Sequence, residues 1–137
     1  MNDSKLVRVR DVMKSNFDMV DGMDTVQMAL DKMTHVETKS LIVKKRHEHD
    51  EFGLVTLSDI ARQVLANDRA PERVNIYEIM SKPAFTVSPQ MDIRYCARIF
   101  GRFELNRAPV VEHGEVIGIV SYTDMVLKGF PSSPEQS

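Results

Sequence analysis

Apolar residues recur along the chain in two rhythms. Val26, Ala29, Leu30 and Met33 stand at i, i+3, i+4 and i+7, the spacing that lays one apolar stripe along a helix, and they predict a helix from about Thr25 to Val36. Ile93, Cys96, Ala97 and Phe100 redraw the stripe further on. After each stripe come two short apolar runs rich in β-branched residues: SLIVK at 40–44 and FGLVT at 52–56, then APVVE at 108–112 and VIGIVS at 116–121. Each pair, separated by a polar stretch, predicts a hairpin of buried strands. A second short helix is predicted after each hairpin, from Ile60, Ala61, Val64 and Leu65 in one place and from Met125 and Val126 in the other.

The order helix, strand, strand, helix therefore occurs twice, and the residues repeat with it. VRDVM at 9–13 aligns with IYEIM at 76–80, and the same offset brings Val20 onto Val87, Val26 onto Ile93, Ala29 onto Cys96, Met33 onto Phe100 and Val36 onto Phe103. SLIV at 40–43 is matched to APVV at 108–111, which shifts the register, and a three-residue surplus in KKRHEHDEF shifts it back. Insertions belong in loops, so that segment is read as a hairpin tip. GLVTLSDI at 53–60 then returns as GIVSYTDM at 118–125. These boundaries give one module over 1–137: repeat one about 7–66, a polar connector at 67–75, repeat two about 76–130, and a disordered tail at 131–137. Each repeat alone would leave an apolar face uncovered, and packing the halves together covers it.

Charge and composition narrow the function. A formal net charge of −2 and 28% charged residues provide no basic field for nucleic acid or an anionic membrane. No run of eighteen apolar residues occurs, and the first residues lack the apolar core of a secretory signal. Cys96 is the single cysteine, so neither an intrachain disulfide nor a thiolate zinc cage can form; this is consistent with a reducing compartment, and the cytoplasm is the expectation. An enzyme is not expected: there is no local Ser–His–acid signature, no phosphate-cradling glycine loop and no HExxH, and Cys96 lies on an apolar helix stripe.

The doubled motif carries the chemistry. Thr56-x-x-Asp59 and Ser121-x-x-Asp124 are capping boxes, in which a hydroxyl and an acid reciprocally satisfy the free N–H groups of a helix start. That alone would account for either copy. The same geometry, a strand running into a helix, also aims N–H groups and hydroxyls into a cleft where phosphate could sit. A carboxylate beside it suits a sugar, because two ribose hydroxyls can both donate to one ionised acceptor. Ribose and phosphate together mean a nucleotide. HEHDE at 47–51 offers metal-ligand types, yet it reads as an ordinary polar tip and no metal is expected. Arg94, Arg98 and Arg102 form a stripe that reads as a solvated face, and most of the nine methionines read as core filler.

The order of elements, the VRDVM and IYEIM openings, the APVV strand and the doubled G-apolar-apolar-[ST]-x-x-D ending resemble the cystathionine-β-synthase (CBS) domain pair, or Bateman module, over residues 7 to about 130. The resemblance implies an α/β (α+β) fold of two β-α-β-β-α repeats related by pseudo-two-fold symmetry, with small sheets packed against helices. It implies that Asp59, with Thr56 and Ser58, and Asp124, with Ser121 and Thr123, each serve a cleft for an adenosine ligand. The candidates are AMP, ADP or ATP, with S-adenosylmethionine or a dinucleotide as further ones. Thr86 and Pro109 follow the family pattern, whereas Met19 and Leu41 replace them in repeat one, so the Asp124 cleft is favoured; Arg107 could reach a phosphate. The resemblance further implies a homodimer formed through helices, to which Met28 and Tyr95, at equivalent positions off the main stripe, would contribute. The expected function is a ligand-sensing regulatory module acting on an unknown partner in trans. The alternative is a structural dimerisation or partner-docking module whose clefts are unused.

Overall fold

The computed structural model describes residues 6–130; the segment 131–137, read above as a tail, lies outside the described residues. In chain order the elements are α1 (Val9–Val12), β1 (Met19–Val20), α2 (Val26–Lys32), β2 (Ser40–Val43), β3 (Gly53–Thr56), α3 (Leu57–Ile60), α4 (Ile93–Phe103), β4 (Arg107–Glu112), β5 (Glu115–Ser121) and α5 (Tyr122–Gly129). Small sheets and helices thus mix as an α+β fold. The described residues form two compact units, one of residues 16–84 and one in which residues 6–15 join residues 85–130.

In the unit 16–84, β1 pairs parallel with β2 and β2 antiparallel with β3. Val20, Val26, Ala29, Leu41, Val55, Val74, Ile76 and Ile79 form its core. The polar segment 67–75 lies inside this unit: Val74 is buried, and its carbonyl accepts from Val26 N–H at 2.8 Å. In the other unit β4 and β5 form a hairpin, and Val87 bridges to Val110 in parallel where β1 meets β2 in the first. Val9, Val12, Cys96, Phe100, Ala108, Val110 and Val120 are its core.

The strand pairing corrects the repeat alignment. Ser40 faces Thr56 and Val43 faces Gly53, while Arg107 faces Ser121 and Val110 faces Gly118. SLIV at 40–43 is therefore equivalent to RAPV at 107–110, and Ile42, not Leu41, stands where Pro109 does. No shift occurs before the hairpin, and the surplus in its tip is two residues, nine (44–52) against seven (111–117). Side chains alternate between faces along a strand, so a slip of one residue would exchange core for solvent.

The equivalent helices α2 and α4 differ in length, and one carboxylate explains it. Asp18 accepts from Thr34 N–H (3.0 Å), His35 N–H (2.8 Å) and the Thr34 hydroxyl (3.0 Å), and the two N–H groups would otherwise continue the helical ladder. The predicted helix to Val36 therefore stops at Lys32, and Val36 is exposed. The counterpart of Asp18 is Phe85, whose ring packs at 5.4 Å against Phe103 at the far end of α4.

Each unit is completed by a backbone graft. Lys14 and Ile119 exchange two hydrogen bonds of 2.9 Å, and Ser81 and Leu54 exchange two of 2.9 and 3.0 Å. The glycine that opens each doubled motif makes room for this approach. A Cβ on Gly118 would stand 2.7 Å from the Lys14 carbonyl oxygen, and one on Gly53 would stand 2.9 Å from Met80 Sδ. At the hairpin tip, Asp50 accepts from Lys82 Nζ (2.8 Å), Arg46 N–H (2.8 Å) and Arg46 Nε (3.1 Å), which holds its carboxyl far below the usual carboxylate range, Lys82 contributing most.

Two outcomes are expected. Gly118→Ala destabilises by about 1–3 kcal/mol, because the obstructing atom is backbone. Gly101→Ala, inside α4 with only the Tyr122 hydroxyl at 3.5 Å, stabilises by about 0.4–1 kcal/mol. Urea midpoints check both. Asp50 binds its proton more weakly folded than unfolded, so its stabilisation is present above its unfolded pKa of about 3.9 and is lost as the pH falls below that value. Asp50→Asn therefore unfolds at a lower temperature than wild type at pH 7, and thermal melts down to pH 3 see that gap begin to narrow below about pH 4.

Candidate functional site

Ser121 ends β5 in extended conformation and caps α5. Its hydroxyl accepts from Asp124 N–H at 3.2 Å, while Asp124 Oδ2 accepts from Ser121 N–H at 3.2 Å and from Ser121 Oγ at 2.9 Å. The capping box predicted from the sequence thus forms, and it turns the carboxylate inward. Asp124 is 3% exposed.

Its other oxygen, Oδ1, is held by cations. Lys14 Nζ hydrogen-bonds to it and Lys128 Nζ stands at 3.6 Å. Lys14 is aimed by the backbone graft onto Ile119, and Lys128 lies one turn after Asp124 on α5. Arg107 faces Ser121 across the hairpin, and it is close enough for the Asp124 charge to be felt. Burial lowers the proton affinity of its guanidinium and Asp124 raises it again, and arginine remains charged throughout. Three cations therefore surround one buried carboxylate and one cap hydroxyl.

The second carboxylate is built alike but attended differently. Asp59 Oδ2 accepts from Thr56 N–H at 2.9 Å, Thr56 Oγ1 accepts from Asp59 N–H at 3.0 Å, and Ser58 Oγ lies 3.0 Å from Thr56 Oγ1. Oδ1 is held at 2.5 Å by Arg62 of the same helical run. Asp59 is more open than Asp124, its side chain 17% exposed against 4%. Ser81 and Ser40 stand where the other cluster has Lys14 and Arg107.

Of the nine residues named from the sequence, Arg107, Ser121 and Asp124 come together, as do Thr56, Ser58 and Asp59. Thr123 is exposed on the first turn of α5. Thr86 is exposed in the extended segment before Val87, and Pro109 is buried within β4, its carbonyl accepting from Val87 N–H at 3.0 Å. Lys14 and Lys128 were not named. Lys128 was within reach of an i,i+4 search from Asp124, but Lys14 is brought in by a segment 110 residues away.

Elsewhere, a cleft of about 470 Å³ opens between α4 and α5 over Ile93, Ala97, Met125 and Val126, with Arg94 and Arg98 at its edge. Another of about 440 Å³ lies in the unit 16–84 around Val43 and Tyr77. Neither is lined by any of the nine residues. Cys96 is buried, which pushes its thiol up to about 11. Among the described residues, no three or more potential metal ligands gather, at 47–51 or elsewhere, and no helix is long and apolar enough to cross a membrane.

The sequence profile of the CBS domain matches residues 9–66 and 76–128. The hexameric CBS-CP12 protein from bloom-forming cyanobacteria superposes with a TM-score of 0.85 at 35% identity, covering 90% of this chain and 71% of that one. The mitochondrial CBS domain-containing protein CBSX3 of Arabidopsis thaliana is 27% identical over 86% of this chain and 62% of its own length. The CBS domain pair of protein MJ0100, solved with 5′-methylthioadenosine and S-adenosyl-L-methionine, shares the fold at 20% identity and a TM-score of 0.72, over 90% of this chain and 95% of that one. The chain spans 46%, 57% and 62% of the length of three curated relatives it matches.

Lys14→Met leaves a buried carboxylate short of its nearest cation and should cost about 1–3 kcal/mol. Adding Asp124→Asn removes the charge that Lys14 answers and should recover part of the loss. Urea unfolding of the single and double variants, read as a double-mutant cycle, measures this coupling.

Proposed function

The chain belongs to the CBS domain family, and we propose that it is a regulatory module that binds an adenosine ligand beside Asp124 and acts on a partner protein in trans. The observation that carries this reading is the gathering of Lys14, Arg107 and Lys128 around the buried Asp124 next to the Ser121 hydroxyl. One carboxylate is an acceptor suited to a ribose diol, and the cations around it suit phosphate. Lys14 can exchange partners: when its ammonium moves to a phosphate, the diol donates to Asp124 Oδ1 in its stead. Neither charge is then left buried without a partner, which is the costly outcome.

The excess of cations favours AMP, ADP or ATP over S-adenosylmethionine, whose sulfonium would add to the positive charge. The MJ0100 pair, solved with two adenosine compounds, supports the nucleoside portion of the reading. Asp59, attended by Arg62 alone, is the weaker site. The regulated partner is a separate protein. Self-association through the helices accompanies the function: Met28 and Tyr95 are 44% and 55% exposed, and Val126 and Leu127 on α5 are 51% and 77% exposed. The raised, buried thiol of Cys96 argues against nucleophilic catalysis.

A second reading, a docking module with unused clefts, is favoured by one observation. Both oxygens of Asp124 are already engaged within the protein. Thermal unfolding separates the two. At about one hundred times its dissociation constant, a nucleotide adds about 2.7 kcal/mol and raises the midpoint by several degrees. The expected result is a rise with AMP, ADP or ATP that Asp124→Asn abolishes and Asp59→Asn leaves largely intact. A rise that survives Asp124→Asn moves the site elsewhere, and no rise with any nucleotide, S-adenosylmethionine or dinucleotide leaves the docking reading.

A further inference from the structure

We propose that the unit 16–84 carries a second site, distinct from the carboxylate clusters, that takes a small aromatic monoanion. The cleft of about 440 Å³ lies within the size range of small-molecule sites. Its floor is apolar: Val43 is 2% exposed, and Met80 and the half-exposed Tyr77 stand beside it. A thioether beside an aromatic ring suits a flat aromatic body. The site is at the Val43–Gly53 end of the hairpin, three residues along β2, about 10 Å, from the Ser40–Thr56 end where Asp59 sits.

Its rim sets the charge of the occupant. Lys44, Arg46 and Lys82 line the cleft. Arg46 and Lys82 are both fixed by Asp50, whose side chain is 7% exposed and which is not among the lining residues. Lys44 meets no carboxylate among the described residues. Asp21 is the acid that lines the cleft, and its Oδ1 accepts from Met23 N–H at 2.8 Å. Three cations against Asp21 and Asp50 leave one positive charge, so the complementary ligand bears a single negative charge, a carboxylate or sulfonate on an aromatic body.

The site is peculiar to this unit, and single residues account for it. Gly22 corresponds to Pro89, which is fully buried in the other unit. At Gly22 a Cβ would stand 3.6 Å from both Tyr77 Cβ and Val43 Cγ1, in ordinary contact with the floor, so a side chain here would take up space in the cleft. Val111 stands for Lys44, Arg10 for Tyr77, and Ser15 for Lys82. Arg46 and Asp50 belong to the longer hairpin tip.

The test uses 1-anilinonaphthalene-8-sulfonate, an aromatic monoanion, in fluorescence titrations of the full chain. Wild type should bind it saturably at one site per chain. Lys44→Glu reverses a charge at an exposed, unpaired position and should weaken binding by about tenfold or more. Arg98→Glu, at the cleft between α4 and α5, should change it less than about twofold. The uncharged parent arylamine, lacking the sulfonate, should bind wild type about tenfold more weakly. Circular dichroism confirms that each variant is folded. Amide shifts in wild type should centre on Gly22, Lys44 and Tyr77. Absence of saturable binding, equal affinity in Lys44→Glu, loss in Arg98→Glu, equal affinity of the neutral arylamine, or shifts centred on α4 and α5 would each overturn the proposal.

Discussion

The exchange of two backbone hydrogen bonds between Lys14 and Ile119, and its counterpart between Ser81 and Leu54, is the contact on which the rest depends. It requires main chain to lie against main chain, and at Gly118 a Cβ would stand 2.7 Å from the Lys14 carbonyl oxygen, whereas at Gly53 the tightest neighbour is the Met80 thioether. Glycine is thus required by backbone at position 118 and by a side chain at position 53. Once the opening segment is seated, three things follow in the unit that holds Asp124. Val9 and Val12 enter the core, α1 packs beside α5, and the Lys14 ammonium reaches the buried carboxylate. The glycine that begins the doubled motif and the aspartate that ends it are thus joined through a residue far away in sequence.

The same carboxylate serves the fold and the proposed site with different atoms. Asp124 Oδ2 finishes the cap of α5, a role that any helix start could ask of it. Oδ1 faces cations, and a cation is a partner that can be exchanged for other donors. Capping and the proposed ligand binding, which compete as explanations when only the motif is in view, would divide between the two oxygens of one group. In Asp59 the division is the same, but its cation sits on the same helical run and the surrounding positive charge is smaller.

Much of this was legible in the sequence because it depends on local periodicity. The two helix stripes, the two hairpins and both caps follow from residues near one another. What was not legible depended on distant partners. The end of α2 is decided by Asp18, which captures the N–H groups of Thr34 and His35 from another segment. The alignment of SLIV with APVV was attractive because the residues look alike, yet hydrogen bonding pairs SLIV's equivalent, RAPV, one residue earlier. Lys14 escaped notice because nothing near VRDVM announces which strand it will join. Val36 and Phe103, equivalent apolar positions in the two repeats, are both over half exposed, since each lies past or at the end of its helix.

The chain passes between its compact units twice, after Ser15 and after Ala84, so the unit that contains the second hairpin also contains α1, which precedes the first hairpin in sequence. Two separate polypeptides, each carrying one repeat, could achieve the same trade of leading segments only by meeting in solution, at a rate set by their abundance. Tandem fusion makes the trade unimolecular, governed by tether length and independent of expression level. Selection can then alter one copy of the duplicated sequence without the other, and the different attendants of Asp59 and Asp124 are what such freedom leaves behind.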